Sequence, residues 1–172
     1  MRKLLLLIGW TAAFPVYAQW AGWDYDNDRE IKPWAELQAQ IPPYPKDADL
    51  IRFDAGAATA HQFFVDPGSI SIGEDGVIRY IMVVRTAGGA RNVTFEGIRC
   101  ETREQKTYAT GHRDGGWARA RSPQWRRIEY QEINRHHGVL YREFFCRGKS
   151  PQDSVKDIVS RLKNPPVLST NE

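Results

Sequence analysis

Asp75–Glu101 reads DGVIRYIMVVRTAGGARNVTFEGIRCE, and the fold is decided there. Asp75-Gly76 is a favoured pair for a tight hairpin turn. Val77–Arg85, which follows it, is the longest β-rich run in the chain and ends at Gly88-Gly89; Asn92–Glu101 then alternates apolar and polar residues with period two. Two such runs joined by so few residues must be antiparallel neighbours, because a parallel pair needs a crossover of about a dozen residues. In the second run residues 94, 96, 98 and 100 share one face, while 93, 95, 97, 99 and 101 share the other. Ile98 and Cys100 therefore point together into the expected core, and Arg99 faces the opposite side.

Working outward, Gln62–Val65 reads as a strand ended by the turn Asp66-Pro67-Gly68, Ser69–Ile72 as the next, and Lys106–His112 as the last of the series. Beyond it Leu140, Tyr141, Phe144 and Phe145 fall on one helical face that delivers Cys146 at its end. A final helix is expected with Ser150 as N-cap, Pro151 at the first helical position and Asp153 as the capping acid. Val155, Ile158, Val159 and Leu162 form its apolar stripe, and Asn164-Pro165-Pro166 stops it. The expected fold class is α+β: an antiparallel meander of about five strands packed by C-terminal helices, with one disulfide.

Upstream, Arg2 and Lys3 precede the apolar stretch Leu4–Phe14, then Pro15 and Val16-Tyr17-Ala18. This is the pattern of a secretory signal cleaved after Ala18, and its apolar stretch is shorter than the roughly 20 residues of a membrane span. The expected organisation is a signal peptide (1–18), an aromatic and acidic strap (19–49), one α+β domain (50–164) and a flexible tail (165–172). Within the strap a short helix is expected from Trp34 to Gln40, started by Pro33 and stopped by Pro42-Pro43. No later segment reaches the length of a membrane span, so the mature chain is expected to be soluble.

Charge is divided along the chain. Residues 19–76 hold eleven acids and four bases, whereas residues 103–149 hold eleven bases and five acids. An acidic segment folded back over a basic body would satisfy both, as would self-association or an anionic partner. Cys100 and Cys146 are the only cysteines; in an exported chain they are expected to pair. The closed loop of about 47 residues gives a chain-entropy stabilisation of about 4 kcal/mol. Their spacing lacks the close C-x-x-C pattern of a redox pair.

No nucleophile elbow, phosphate loop, haem motif or metal-ligand spacing occurs, and neither cofactor nor metal is expected. His112, His136 and His137 are weak candidates for a general base, should the protein be a hydrolase acting on an anionic envelope substrate. Adjacent His136 and His137 should point in different directions, which disfavours a shared metal. The better candidates for binding are Arg119, Arg121, Arg126 and Arg127 with Trp125, flanked by Arg113 and Trp117. Guanidinium groups grip carboxylates and phosphates bidentately and an indole offers a flat platform. Near-zero net charge in the mature chain disfavours nucleic acid as the partner.

Several stretches resemble the CNP-one-like proteins, a family of exported proteins of beta-proteobacteria: Lys32–Glu36, Pro42–Pro45, Phe63–Asp66, Asp75–Tyr80, Phe95–Cys100 and Tyr141–Cys146. The resemblance implies a Gram-negative envelope location and a paired Cys100 and Cys146; it carries no activity, ligand or catalytic residue. The reading favoured is a non-enzymatic periplasmic accessory protein that binds an anionic envelope component or an envelope protein through its basic, Trp-containing surface. Two alternatives are the hydrolase above and a structural protein that homodimerises through the strap.

Overall fold

The computed structural model describes residues 33–56, 59–129 and 135–165, all but Pro33 belonging to the compact unit Trp34–Glu172. The expected signal peptide, strap residues 19–32 and the tail from residue 166 lie outside the described residues. Six strands run as an antiparallel meander in chain order: β1 (Ile51–Phe53), β2 (Gln62–Ile72), β3 (Val77–Arg85), β4 (Arg91–Arg99), β5 (Glu104–Gly111) and β6 (Trp117–Arg119). A two-residue strand, β7 (Arg126–Arg127), also pairs with β5. Helix α1 (Arg135–Val139) continues into a π-helical turn, Leu140–Phe145, which ends in a small ribbon of β8 (Cys146–Arg147) and β9 (Ser150–Pro151); α2 (Val155–Lys163) follows. The fold is thus α+β, and Cys100 and Cys146 are bonded.

Both faces of the sheet are covered. Val77 to Val83 are all buried, which explains why that run is continuously apolar rather than alternating. On one face Ile78, Tyr80, Met82, Ile98 and Cys100 pack against Leu140, Phe144, Phe145, Ile158 and Leu162 from the helices. On the other, Phe64, Ile81, Val83, Val93, Phe95 and Tyr108 pack under Ala39, Ile41 and Tyr44 of the strap. Ile98 and Cys100 face the helices as alternation requires, while Arg99 lies on the strap side with its guanidinium 3.9 Å from the centre of the Trp34 ring.

Three local expectations fail. Asp66-Pro67-Gly68 is no turn between strands but a bulge inside the single strand β2, whose register jumps between Asp66↔Ile81 and Ser71↔Arg79. The side chains mend the ladder there: Asp66 Oδ1 accepts from Gly68 N (3.0 Å), and Ser69 Oγ donates to Asp66 O (2.7 Å) and accepts from Ile81 N (2.8 Å). The expected helix Trp34–Gln40 does not form. Leu37 N donates to Asp75 Oδ2 (2.8 Å) and Leu37 O accepts from Arg79 Nη2 (2.9 Å), so distant side chains hold the groups a helix would pair. Ser150-Pro151 belongs to β9, and the N-cap of α2 is Ser154, whose Oγ accepts from Asp157 N. Asp153, instead of capping, pairs with Arg147 at 2.8 Å.

Gly97 is required by packing. A Cβ there would lie 2.7 Å from Tyr108 Oη and 2.9 Å from its ring, so the Tyr108 ring lies over a bare strand backbone. Gly97→Ala is expected to displace that ring and destabilise the fold by about 1–3 kcal/mol. Hydrogen exchange should show faster loss of protection at Leu37–Ile41 than at β2 and β3; equal loss would contradict a local effect on the strap.

Candidate functional site

The described half of the strap is bound to the sheet by side chains far away in sequence. Glu36 accepts hydrogen bonds from Lys106 Nζ (2.7 Å), Tyr108 Oη (2.9 Å) and Trp125 Nε1 (3.1 Å). Burial would raise its pKa, but these donors and the Lys106 charge hold it below the ordinary carboxylate value. Asp75, in the β2–β3 turn, takes a bidentate ion pair from Arg79 at 2.6 and 3.1 Å, and its backbone oxygen accepts from Trp34 Nε1 (2.8 Å). Burial opposes ionisation here also, yet the Arg79 hydrogen bond and two backbone N–H donors keep its pKa low. Further along, Asp47 pairs with Arg85 and Arg91, each at 3.0 Å, and Tyr44 Oη donates to His112 O (2.9 Å). The described part of the strap, with Glu36 and Asp47, thus folds back over the body.

This arrangement divides the arginine and tryptophan segment. Trp125 does not offer a free platform: its ring edge packs on Trp34 (6.2 Å) and Tyr108 (6.5 Å), and Glu36 holds its indole N–H. Trp117 is likewise half-buried against Tyr44 at 5.4 Å. Arg113, Arg119, Arg121, Arg126 and Arg127 remain exposed. They do not share one face. Arg119 pairs in register with Ala109 and Arg127 with Glu104, on the strap side, whereas Arg126 pairs with Gln105, opposite Ile98 and hence on the helix side. Two clefts flank the connecting segment: Arg119 lines one with Glu36 and Lys106, and Arg126 lines the other with Gln105 and Thr107.

The three histidines do not join the arginines either. His112 is exposed beside a hairpin turn, while His137 is buried. Contrary to the sequence reading, the rings of His136 and His137 do meet, with centroids 4.1 Å apart. No set of three or more metal-ligating side chains occurs among the described residues. Neither cleft beside the arginines, nor the larger apolar one between β1 and the helices, is lined by a histidine.

What sequence reading missed is the partner of His137. Its Nε2 lies 2.8 Å from Glu96 Oε2, which also accepts from Tyr80 Oη (2.9 Å); Glu96 Oε1 accepts from Thr94 Oγ1 (2.7 Å). Burial alone would raise the Glu96 pKa, but the charge and hydrogen bond of His137, with the Thr94 hydroxyl, hold it well below the ordinary range. A carboxylate only accepts, so His137 Nε2 carries the proton. The signal was present in the alternation: residue 96 shares the core face with Ile98.

His136, stacked on Phe63 at 4.9 Å, is pushed down to about 4, first by burial and then by the His137 charge, which outweigh attraction to Glu96. Its folded pKa lies below its unfolded value, so the stability it contributes is complete above about pH 6.5 and disappears as pH falls towards 4. That loss is on the order of 3 kcal/mol. Denaturant unfolding at pH 7, 5.5 and 4 should show it, and His136→Phe should flatten the slope; an unchanged slope would assign the effect elsewhere.

Most of the chain is similar in sequence to known proteins. A relative in Neisseria gonorrhoeae (strain ATCC 700825 / FA 1090), Cryptic neisserial protein 1, is 30% identical over 154 residues, covering 78% of this chain and 72% of its own length. No solved structure matches. The sequence profile of the CNP1-like family matches residues 29–163, which takes in the strap from residue 29, the sheet, both cysteines and helices α1 and α2, and the chain belongs to that family.

Proposed function

We propose that the protein is a non-enzymatic accessory protein of the Gram-negative periplasm, exported with a cleaved signal peptide, that binds an anionic cell-envelope component through the arginines around β6 and β7. One observation carries the reading. Arg119, Arg121, Arg126 and Arg127 are exposed, and their guanidinium groups make no ion pair or hydrogen bond with any described residue. Among the described acids of the strap and the β2–β3 turn, Glu36 is engaged by Lys106, Asp47 by Arg85 and Arg91, and Asp75 by Arg79. Unpaired guanidinium groups held on strands and short connections are suited to carboxylate or phosphate. In agreement with a periplasmic location, the cysteines are disulfide-bonded.

Replacing Arg119, Arg121 and Arg126 together by alanine is expected to abolish capture of an envelope component by in-cell cross-linking. The thermal melt should stay within about 2 °C, since exposed unpaired charges contribute little to stability. Undiminished capture by a folded variant would remove the proposal.

A further inference from the structure

We infer that the cleft on the helix side of β5 is a subsite for one anionic sugar unit. The inference rests on the arginine-mediated binding proposed above and names its ligand class. The cleft has a volume of about 240 Å³, below the range of sites for drug-sized molecules and suited to one ring with its substituents. Four of its side chains, Gln105, Thr107, Ser122 and Gln124, are neutral amides and hydroxyls. Each both donates and accepts hydrogen bonds, as sugar hydroxyls do.

Other ligand classes fit poorly. Ala120 and Pro123 are the only apolar residues on its wall, too little to hold an acyl chain or a large apolar side chain. With no Asp or Glu lining it, a cation would find no counter-charge. The single charge is Arg126, exposed and without a partner, whose fork matches a carboxylate or phosphate. Moreover, the Gln105 amide oxygen is buried and accepts no hydrogen bond. Its isolation is unfavourable, and a turn of the Gln105 side chain toward the cleft would let a ligand hydroxyl reach it. Gln105 and Thr107 are fixed by the β4–β5 ladder, opposite Ile98 and Glu96, so the polar groups are placed before any ligand arrives.

Sugars carrying a carboxylate and sugars carrying a phosphate share this chemistry, and titration separates them. The full chain, labelled with ¹⁵N, would be titrated at constant ionic strength with glucuronate, glucose 6-phosphate, glucose, acetate and inorganic phosphate. The expected result is shifts of the Gln105 and Gln124 side-chain amides and of Arg126 with at least one anionic sugar. Affinity should be about ten-fold or more above that for glucose or the simple anions, the size of one charge-assisted hydrogen bond. Arg126→Gln should reduce the preferred anionic sugar to the level of glucose while the spectrum otherwise remains folded. The stronger of the two anionic sugars identifies the acidic group. Absence of shifts at these residues, binding of glucose as tight as that of both anionic sugars, or equal binding of a simple anion would each overturn the inference. If the sugars fail while capture in cells still depends on Arg119, Arg121 and Arg126, the arginine surface stands and the sugar subsite falls.

Discussion

Reduction of the Cys100–Cys146 bond should cost about 4 kcal/mol of stability and about 10 °C in melting temperature, and Cys100→Ser/Cys146→Ser somewhat more. The bond joins the strand end after β4 to the end of the π-helical turn, 46 residues further on, across Cα atoms 5.7 Å apart. Both cysteines are buried among Ile98, Leu140 and Phe145 in the helix-side core, so serine adds two buried hydroxyls to the loss of chain constraint. Since a domain of this size has a total stability of about 5–15 kcal/mol, the double variant should remain foldable yet marginal. Denaturant unfolding at pH 7 with and without reductant checks this. A loss under about 1 kcal/mol would mean that the ribbon and α2 hold the chain crossing without the bond.

Glu96→Ala should be comparably harmful, by about 3–5 kcal/mol, because it removes one partner of a buried pair and leaves the others behind. Tyr80 Oη, Thr94 Oγ1 and His137 Nε2 all lose their acceptor, and Tyr80 and His137 are buried, with little or no water at hand to replace it. The affected seam lies where α1 meets β3 and β4, so exchange protection should fall first in Val139–Phe145. Replacing the whole group by apolar residues, Tyr80→Phe/Glu96→Leu/His137→Leu, should recover most of the loss, since an apolar set of similar volume needs no partners. If the triple variant is as unstable as Glu96→Ala, packing rather than unpaired polarity causes the damage.

Much of the sheet was legible because period-two alternation and glycine turns are local signals. The turn at Asp75-Gly76, the pairing of β3 with β4 and the core position of Ile98 and Cys100 all follow from them. The errors arose where one local signal has two outcomes. Asp-Pro-Gly serves a bulge as readily as a turn, and only Ser69 bonding to Ile81 N on the neighbouring strand decides between them. Ser150 and Ser154 both resemble N-caps; β8 takes the first by pairing Arg147 with Ser150. For the candidate binding surface, the exposed arginines were legible as residues but not as positions. Trp125 looked available until Glu36, 89 residues earlier, was seen to hold it. Contacts of that span leave no trace in a local pattern.

The same span governs the order in which the molecule is completed. Trp34 and Glu36 are made long before their anchors: Asp75 follows Trp34 by 41 residues, and Lys106, Tyr108 and Trp125 follow Glu36 by 70, 72 and 89. A chain emerging from its N-terminus therefore presents the strap first and seats it late, after β5 has joined the sheet. Until then Trp34, Ile41 and Tyr44 have no surface to cover, and the apolar residues of the opposite face, among them Phe64, Ile81, Val83 and Phe95, stand open. The interval before closure is when this protein is most exposed to association with other chains.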